Sequence, residues 1–358
     1  MEVRGARLGV IRQRLAEAGA DAAVLSFLPD VRWAVGFSGS NGLLVVRPDA
    51  AHFVTDGRYD TQARQEVESA EVHVPGYDLA KYVREAGLLG GAARVLVQGD
   101  HVTLSTLEYW ADLFESVAFV PVKEWLVDAV AAKEAWEVER IRRAQSITDE
   151  VFTALLPLVT PGVREQELAA EIVYQHLQRG CERMAFEPIV AAGPRSSLPH
   201  AHPTGEAFRS GDVIVIDMGG VVDGYASDMT RTLALGEPEA EAKRVYQVVL
   251  DAQHAALDVV AAGRTGKEVD AAARTVIHAA GYGEFFSHGL GHGVGIQTHE
   301  WPRLSYHVEH VLPENAAVTI EPGVYLPERF GVRIEDLVIV QAGGHENLTA
   351  SSKALLVL

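Results

Sequence analysis

The sequence of 358 residues contains a single cysteine, Cys181. One cysteine cannot form an intrachain disulfide or a thiolate cage for zinc, so disulfide-stabilised and zinc-finger folds are excluded. This usage predicts a reducing compartment. Cys181 follows a predicted helix, where it could act as a nucleophile, but a buried, unreactive thiol is the simpler interpretation.

Basic residues and long apolar runs are also scarce. The 31 Lys and Arg are outnumbered by 49 Asp and Glu, which gives a formal net charge of −18. This balance disfavours nucleic acid and anionic membrane surfaces as partners. No run approaches the roughly 18 uncharged apolar residues of a membrane span, and residues 1–22 predict a charged amphipathic helix rather than a signal peptide. We therefore expect a cytoplasmic protein without nucleic-acid or membrane partners.

The composition is that of a globular chain, with 48% hydrophobic and 22% charged residues, and its length favours two domains. Residues 1–125 alternate helical and strand patterns with short connections, which predicts an α/β domain. Residues 130–358 combine long helices with strand hairpins, which predicts an α+β domain. The chain shows no G-x-G-x-x-G after its first strand, no Walker loop and no G-x-S-x-G, so dinucleotide, nucleotide and α/β-hydrolase sites are unsupported.

The strongest chemical signal is a pair of acids on a predicted hairpin. Asp217 lies in the apolar strand DVIVIDM, where an ionised carboxylate is unfavourable unless it is paired or bound to a cation. Asp223-Gly224 forms a preferred two-residue turn, which places position 219 opposite Asp228 and makes Asp217 its diagonal neighbour. Both carboxylates are therefore predicted to converge on one face.

The same pattern recurs later in the chain. Glu321 follows the strand AVTI, and Glu335 lies equally far on the other side of position 328, within a predicted hairpin. Four converging carboxylates repel one another, and divalent cations are the simplest way to keep them ionised. A single acid on a strand is usually an edge or turn residue, but two symmetric pairs favour a metal centre and suggest an internal duplication.

Glycine-flanked histidines occur in the segment SHGLGHGVG. His288 and His292 have the spacing of a helical zinc pair, but three glycines within five residues disfavour a helix. In an extended segment both side chains share a face, and the glycines permit close backbone approach; a phosphate loop is the weaker alternative. His200 and His299 complete the set. Three further histidines are expected to be ordinary surface or core residues: His202, His307 and His310.

These residues resemble a known family. Five of them, in this order, are similar to the metal ligands of the "pita-bread" metallopeptidases, which include methionine aminopeptidase, aminopeptidase P, prolidase and creatinase: Asp217, Asp228, His292, Glu321 and Glu335. The motifs VIVIDMGG, SDMTRT, GLGHGVG, TIEPGVY and GVRIED agree. The resemblance covers about residues 130–358 and implies a pita-bread catalytic domain in an α+β chain. Residues 1–125, with SGSNGLLVV and FVTDGRY, resemble the N-terminal domain of creatinases, prolidases and aminopeptidases P.

The resemblance also implies how the site would work. The five ligands would hold two divalent ions per chain, with Mn²⁺ favoured by the oxygen-rich set and Co²⁺ or Zn²⁺ able to substitute. A water bridging the ions would attack the peptide carbonyl, and Glu321 would carry its proton to the leaving nitrogen. His288 and His299 would stabilise the substrate carbonyl, His200 and His299 would border the proline ring, and Arg333 would orient the ligands. A homodimer is likewise implied.

The preferred peptide length depends on one arginine. Xaa-Pro bonds are tertiary amides without an N–H, and a dipeptidase must also bind the free carboxylate of the proline. Arg303, in HEWPRLS, resembles a carboxylate-binding arginine of some prolidases, and a guanidinium suits that role. The same run occurs in aminopeptidase P relatives, and an ion pair with Glu300 is the structural alternative. We favour an Xaa-Pro dipeptidase (prolidase), with an Xaa-Pro aminopeptidase as the alternative.

Two remoter alternatives differ in class. Some proteins of this fold have lost metal ligands and act as binding modules, but all five ligand positions are kept in this sequence. Creatinase-like chemistry on a small amidine substrate would keep the histidine of that family's site but not the metal ligands. The sequence therefore predicts a metallopeptidase.

Overall fold

The computed structural model describes residues 2–358, with side chains described from Gly5 onward. The chain divides into two compact units, the first ending at Val130 and the second running from Ala131 to Leu358. None of the helices among these residues is both long and apolar enough to cross a membrane.

The first unit contains one six-stranded sheet with helices. Its strands are β1 (Ala22–Leu25), β2 (Leu43–Val46), β3 (Ala51–Val54), β4 (Glu71–His73), β5 (Arg94–Gln98) and β6 (Ala118–Val122). Its helices are α1 (Glu2–Glu17), α2 (Leu28–Val35), α3 (Asp60–Glu66), α4 (Leu79–Glu85), α5 (Leu104–Leu113) and α6 (Val127–Ala131). The strand order β4-β3-β2-β1-β5-β6 combines an antiparallel β1–β2–β3 meander with parallel neighbours on both sides.

Helix α2 of this unit depends on tertiary packing. Helix α2 has only eight residues, and Pro29 stands in its first turn, where proline is tolerated because that N–H has no partner within a helix. The helix is held by burial of Val31 and Trp33, and it ends at Gly36, whose φ of 95° suits a glycine cap. A segment this short is stabilised by tertiary packing, which the sequence pattern does not reveal.

The second unit contains four small sheets and four long helices. Its strands are β7 (Arg183–Met184), β8 (Ile189–Ala192), β9 (Val213–Met218), β10 (Gly220–Val222), β11 (Tyr225–Ala226), β12 (Met229–Ala234), β13 (Gly291–Gly293), β14 (Glu300–Leu304), β15 (Ala317–Ile320), β16 (Gly323–Leu326), β17 (Phe330–Arg333), β18 (Asp336–Gln341) and β19 (Gly344–Asn347). Its helices are α7 (Ala135–Leu155), α8 (Glu165–Gln178), α9 (Ala240–Leu257) and α10 (Gly266–Ala279).

The first acidic hairpin has the predicted register. Asp223 and Gly224 have φ values of 47° and 80°, as a tight primed turn requires. Val222 pairs with Tyr225 beside the turn, and further along Asp217 pairs with Thr230. The hairpin belongs to two sheets, since β11 and β10 form one sheet with β7, which pairs with β10, while β12 and β9 form another with β8, which pairs with β9. Asp228 lies at the break between β11 and β12.

The second acidic hairpin is built in the same way. Gly323 pairs with Arg333 and Ile320 pairs with Asp336, so the register sets Glu321 opposite Glu335 as predicted. Each arm of this hairpin is divided into two strands, because β16 and β17 form their own sheet while β15 and β18 join the five-stranded one. Glu335 lies in this break, where its N–H donates to the Thr230 carbonyl at 3.1 Å.

Candidate metal centre

A cavity of about 540 Å³ opens in the second unit where the two hairpins meet. The five predicted metal ligands line it: Asp217, Asp228, His292, Glu321 and Glu335. The other predicted site residues line it as well: His200, His288, His299, Arg303 and Arg333. Apolar side chains cover part of its wall, among them Phe186, Ile189 and Val308. Residues scattered over more than a hundred positions are therefore brought to one cleft.

The two oxygens of Asp217 have different surroundings. Oδ2 accepts a hydrogen bond from the Arg333 guanidinium at 2.7 Å. Oδ1 is buried and has no hydrogen-bond partner among the described residues. A buried carboxylate oxygen without a partner is unfavourable, so it marks the direction in which a cation would lie.

Thr230, on the first hairpin, forms hydrogen bonds with two residues of the second hairpin. Its hydroxyl accepts a hydrogen bond from Arg333 Nε at 2.9 Å and donates one to Glu335 Oε2 at 2.7 Å. Arg333 therefore orients Asp217 directly and Glu335 through Thr230. All of these side chains are buried, which fixes their rotamers.

His292 presents one nitrogen to the acids. Its Nδ1 lies 3.1 Å from the Gly293 carbonyl, which can only accept, so Nδ1 carries a proton. Nε2 lies 3.2 Å from Glu321 Oε1 and 3.7 Å from Asp228 Oδ2. A nitrogen facing two carboxylates requires a positive charge on that side, either its own proton or a metal ion. A backbone carbonyl that fixes the tautomer in this way is typical of metal-binding histidines.

The electrostatics of the acids favour a bound cation. Burial raises the pKa of Asp217, and it raises the pKa of Asp228 and Glu335 well above the ordinary range, with further contributions from the neighbouring carboxylates. Burial also opposes ionisation of Glu321, but the hydrogen bond and charge of His292 lower its pKa to about 2. Without a metal ion, burial and mutual repulsion oppose the ionisation of these three acids, and divalent cations would favour their ionised forms.

The residues present fit a divalent metal ion. Donor atoms of Asp228, His292 and Glu335 all lie within 4.8 Å of one another, and Glu321 and the partnerless Asp217 oxygen lie beside them in the same cavity. Four carboxylates and one imidazole form an oxygen-rich donor set, which suits hard and borderline divalent ions.

His288 is engaged at both ring nitrogens. Nδ1 donates to the Gly289 carbonyl at 2.7 Å, and Nε2 accepts from the Tyr325 hydroxyl at 2.9 Å. Burial lowers its pKa, which favours this neutral form. Tyr325 in turn accepts a hydrogen bond from Arg333 at 3.0 Å. In this tautomer the one N–H of His288 is used by Gly289, so His288 could donate to a substrate carbonyl from Nε2 only after that nitrogen gains a proton and its contact with Tyr325 is released.

His299 and His200 are less constrained. The His299 ring packs edge-on against His292, with centroids 4.4 Å apart. Loss of solvent around the ring and the charges of His292 and Arg303 lower the pKa of His299 to about 4, so it is neutral near pH 7. His200 is exposed at the cavity. Neutral imidazoles can donate one hydrogen bond to a bound peptide.

Arg303 does not pair with Glu300. Glu300 is buried and accepts from the Lys133 ammonium at 2.5 Å, so its charge is already balanced. Within the described residues, the Arg303 guanidinium has no hydrogen bond and no ion pair. Partial burial lowers its pKa, and Glu321 is the acid whose charge acts on it. A positive charge is thus left free in the cavity that contains the acids.

Several residues of the site were not predicted from the sequence. Tyr325 and Thr230 carry the contacts to His288 and Glu335, and both stand inside the quoted motifs TIEPGVY and SDMTRT, which is the signal that could have found them. His202 and His307, expected to be ordinary, also line the cavity. Cys181 is buried, and burial raises the pKa of its thiol to about 11, so it is an unreactive core residue.

Known proteins match the chain over both units. The model of Metallopeptidase family M24 matches residues 139–342, and the Creatinase/Prolidase N-terminal domain matches residues 7–130. An Xaa-Pro dipeptidase of Pyrococcus furiosus is 35% identical over 89% of this chain and 91% of its own length. A solved Xaa-Pro dipeptidase from Bacillus anthracis superposes with a TM-score of 0.95 at 34% identity, over 99% and 100% of the two chains.

A structure named X-Pro aminopeptidase, from Thermotoga maritima, is also similar, with a TM-score of 0.89 and 35% identity over 95% of this chain and 98% of its own. The predicted fold class, an N-terminal creatinase-like domain followed by a pita-bread catalytic domain, is confirmed, and the family uses divalent metal ions. The match over more than half of the chain, together with the cleft of four acids and a histidine, places this protein in metallopeptidase family M24.

Proposed function

We propose that this protein hydrolyses Xaa-Pro dipeptides, which makes it an Xaa-Pro dipeptidase. The observation that carries the proposal is the free guanidinium of Arg303 in the cavity that contains the predicted ligands. A guanidinium binds a carboxylate through two parallel hydrogen bonds, and the carboxylate of a C-terminal proline is the group that distinguishes a dipeptide from a longer substrate. The relatives named Xaa-Pro dipeptidase support the same assignment.

The number and type of metal ions that we propose follow from the donor atoms in the cavity. Two divalent ions, with Mn²⁺ favoured, would be held by five residues: Asp217, Asp228, His292, Glu321 and Glu335. When bound, such ions supply Lewis acidity and a water of lowered pKa. The protein supplies the positions of the donors, since Arg333 and Thr230 hold two of the carboxylates in place.

The remaining residues act on the peptide and its protons. Glu321 Oε1 is positioned by the Thr319 hydroxyl at 2.9 Å, and Glu321 is proposed to carry a proton from the attacking water to the proline nitrogen. That transfer is required because the proline nitrogen leaves as an amine and must gain a proton when the C–N bond breaks. His299 is neutral and is proposed to donate to the substrate carbonyl; His288 is proposed to join it from Nε2 once that nitrogen carries a proton and Tyr325 has released it. His200 and the apolar wall would border the proline ring.

The experiment that tests the proposal compares peptide lengths. Protein freed of metal and reloaded with Mn²⁺ is given Met-Pro and, separately, Met-Pro-Xaa tripeptides, and kcat/KM is measured for each. We expect efficient cleavage of the dipeptide and weak cleavage of the tripeptides. Preferential cleavage of tripeptides would make the protein an aminopeptidase, and inactivity on both with metal bound would overturn the peptidase proposal.

We further propose that the protein works as a homodimer in the cytoplasm. The dimer rests on the family resemblance, and the location rests on the cysteine usage and composition of the chain. Size-exclusion chromatography with light scattering tests the first, and a monomer at working concentrations would contradict it.

A further inference from the structure

A second group of side chains with atoms that could ligate a metal ion lies in the first unit, at the edge of its sheet. His52 is on β3, and Glu71 and His73 are on the edge strand β4. The parallel pairing sets His52 beside Glu71 and Val54 beside His73. Since side chains two apart on a strand share a face, all three point to the same side of the sheet.

The donor atoms of the three residues converge. His52 Nδ1 lies 3.1 Å from His73 Nε2 and 3.4 Å from Glu71 Oε2, and His73 Nε2 lies 3.8 Å from Glu71 Oε1. Tetrahedral zinc with bonds of about 2.0–2.1 Å requires donor atoms about 3.3 Å apart. The observed separations scatter around that value, so an ion could be bound with small side-chain adjustments.

Tyr82 on α4 fixes the orientation of one imidazole. Its hydroxyl lies 3.2 Å from His73 Nδ1, which can donate its proton to the hydroxyl oxygen and leave the Nε2 lone pair facing the group. His52 Nδ1 then donates to that lone pair, and on metal binding its proton moves to the other nitrogen of the same ring. An outer hydrogen bond of this kind is typical of histidine ligands.

The surroundings suit a transition-metal cation and not an anion. Both imidazole side chains are 13% exposed, whereas Glu71 is 67% exposed, so the ligand nitrogens are shielded while one side of the group remains open to water. Burial lowers the pKa of His73 and favours the neutral, metal-binding form of the ring. Two imidazoles with one carboxylate form a donor set that zinc and its neighbours prefer over calcium or magnesium.

We propose that His52, Glu71 and His73 form a binding site for a zinc-class ion, distinct from the carboxylate centre. The ion would cross-link β3 to β4, a three-residue strand that pairs with a neighbour on one side only. Exposed edge strands are otherwise prone to fraying and to pairing with other chains. The site would stabilise this edge and takes no part in peptide hydrolysis.

The test counts zinc in the full-length protein. Wild type and His73→Ala are stripped of metal, dialysed against the same buffered free Zn²⁺, and analysed for bound zinc per chain. Because the carboxylate centre is unchanged in both, we expect the variant to hold one equivalent less. His101→Ala is the matched control, since this histidine of the same unit stacks on Phe27 outside the group, and it should retain the wild-type count.

Two milder variants keep the proposal testable if His73→Ala unfolds the sheet. Glu71→Gln changes an exposed side chain, and Tyr82→Phe removes only a hydroxyl; each should weaken this zinc site by roughly tenfold or more. Peptidase activity with Mn²⁺ bound should be unchanged in both. Zinc content and affinity equal to wild type in folded His73→Ala or Glu71→Gln protein, or an equal loss in His101→Ala, would overturn the proposal.

Discussion

Arg303 differs from the other cationic residues of the site because it has no acidic partner in the part of the chain that the structure describes. Arg333 is bound to Asp217 and Lys133 is bound to Glu300, so both charges are neutralised within the fold. A guanidinium that is partly removed from water and lacks a partner is unfavourable until an anion arrives. This arrangement supports the proposal that Arg303 binds the carboxylate of the substrate.

Replacing Arg303 should change the preference for dipeptides over tripeptides more than it changes the chemical step itself. In Arg303→Ala we expect kcat/KM for Met-Pro to fall roughly 10- to 100-fold, the value of a lost charge-assisted hydrogen bond. Cleavage of a Met-Pro-Xaa tripeptide, however weak, should change by less than about threefold. Arg303→Lys, which keeps the charge but not the paired geometry, should lie between wild type and Ala. Equal losses on both substrates would show that Arg303 only supports the fold.

At the scale of elements, β13 is a strand whose glycines determine the position of its histidine. A Cβ at Gly291 would overlap the Thr319 carbonyl of β15, and a Cβ at Gly293 would overlap the Trp301 carbonyl of β14. Neither glycine has a positive φ, so close approach of the neighbouring backbones, and not turn geometry, explains them. His292 is held between two strands that can come this near only because its neighbours lack side chains.

Gly291→Ala should therefore disturb the packing of β13 in its sheet and, as a result, the position of His292 in the candidate metal centre. We expect a loss of about 1–3 kcal/mol in the free energy of unfolding, as for overpacking elsewhere, together with weaker Mn²⁺ binding because His292 is displaced. Denaturant unfolding and metal titration measure the two effects. Gly205→Ala, at a position of the same unit with open space around it, is the control. Wild-type stability and metal affinity in Gly291→Ala would contradict this account.

The sequence predicted the elements that depend on local pattern. The register of both hairpins followed from Asp223-Gly224 and from the symmetry of Glu321 and Glu335 about position 328, and both are confirmed. The breaks in the hairpin strands were not predicted, because they arise where one hairpin joins two different sheets. The partner of Glu300 was not predicted either, since Lys133 is 167 residues away and no local pattern connects the two.

At the scale of the whole molecule, an apolar core stabilises the second unit, whereas burial and repulsion of its acidic side chains destabilise it. Apolar residues from α9, α10 and the hairpin strands form one large buried cluster. Against this, four carboxylates converge at the cavity, and burial raises the pKa of three of them. Metal ions that bind only the folded state would offset this repulsion.

Adding metal should therefore raise thermal stability. At Mn²⁺ about 100-fold above its dissociation constant, we expect roughly 2.7 kcal/mol of stabilisation, which corresponds to about 5–10 °C in the unfolding transition of the second unit. Calorimetry of stripped protein with and without Mn²⁺ measures the shift. Asp228→Asn should lose most of it and also lose peptidase activity. The same shift in Asp228→Asn and wild type would mean that the ions bind elsewhere.

The breaks at Asp228 and Glu335 have a consequence for how such a protein can change in evolution. Side chains along a ladder alternate between faces, so inserting a single residue between a turn and its acid would turn that carboxylate away from the cleft. The turn residues can vary among types that tolerate a positive φ, whereas an odd change in length within either ladder would reverse the face of the acid. The spacing of the acids therefore has to be kept as a unit, and an insertion is compatible with the site only where it leaves both ladders paired as they are.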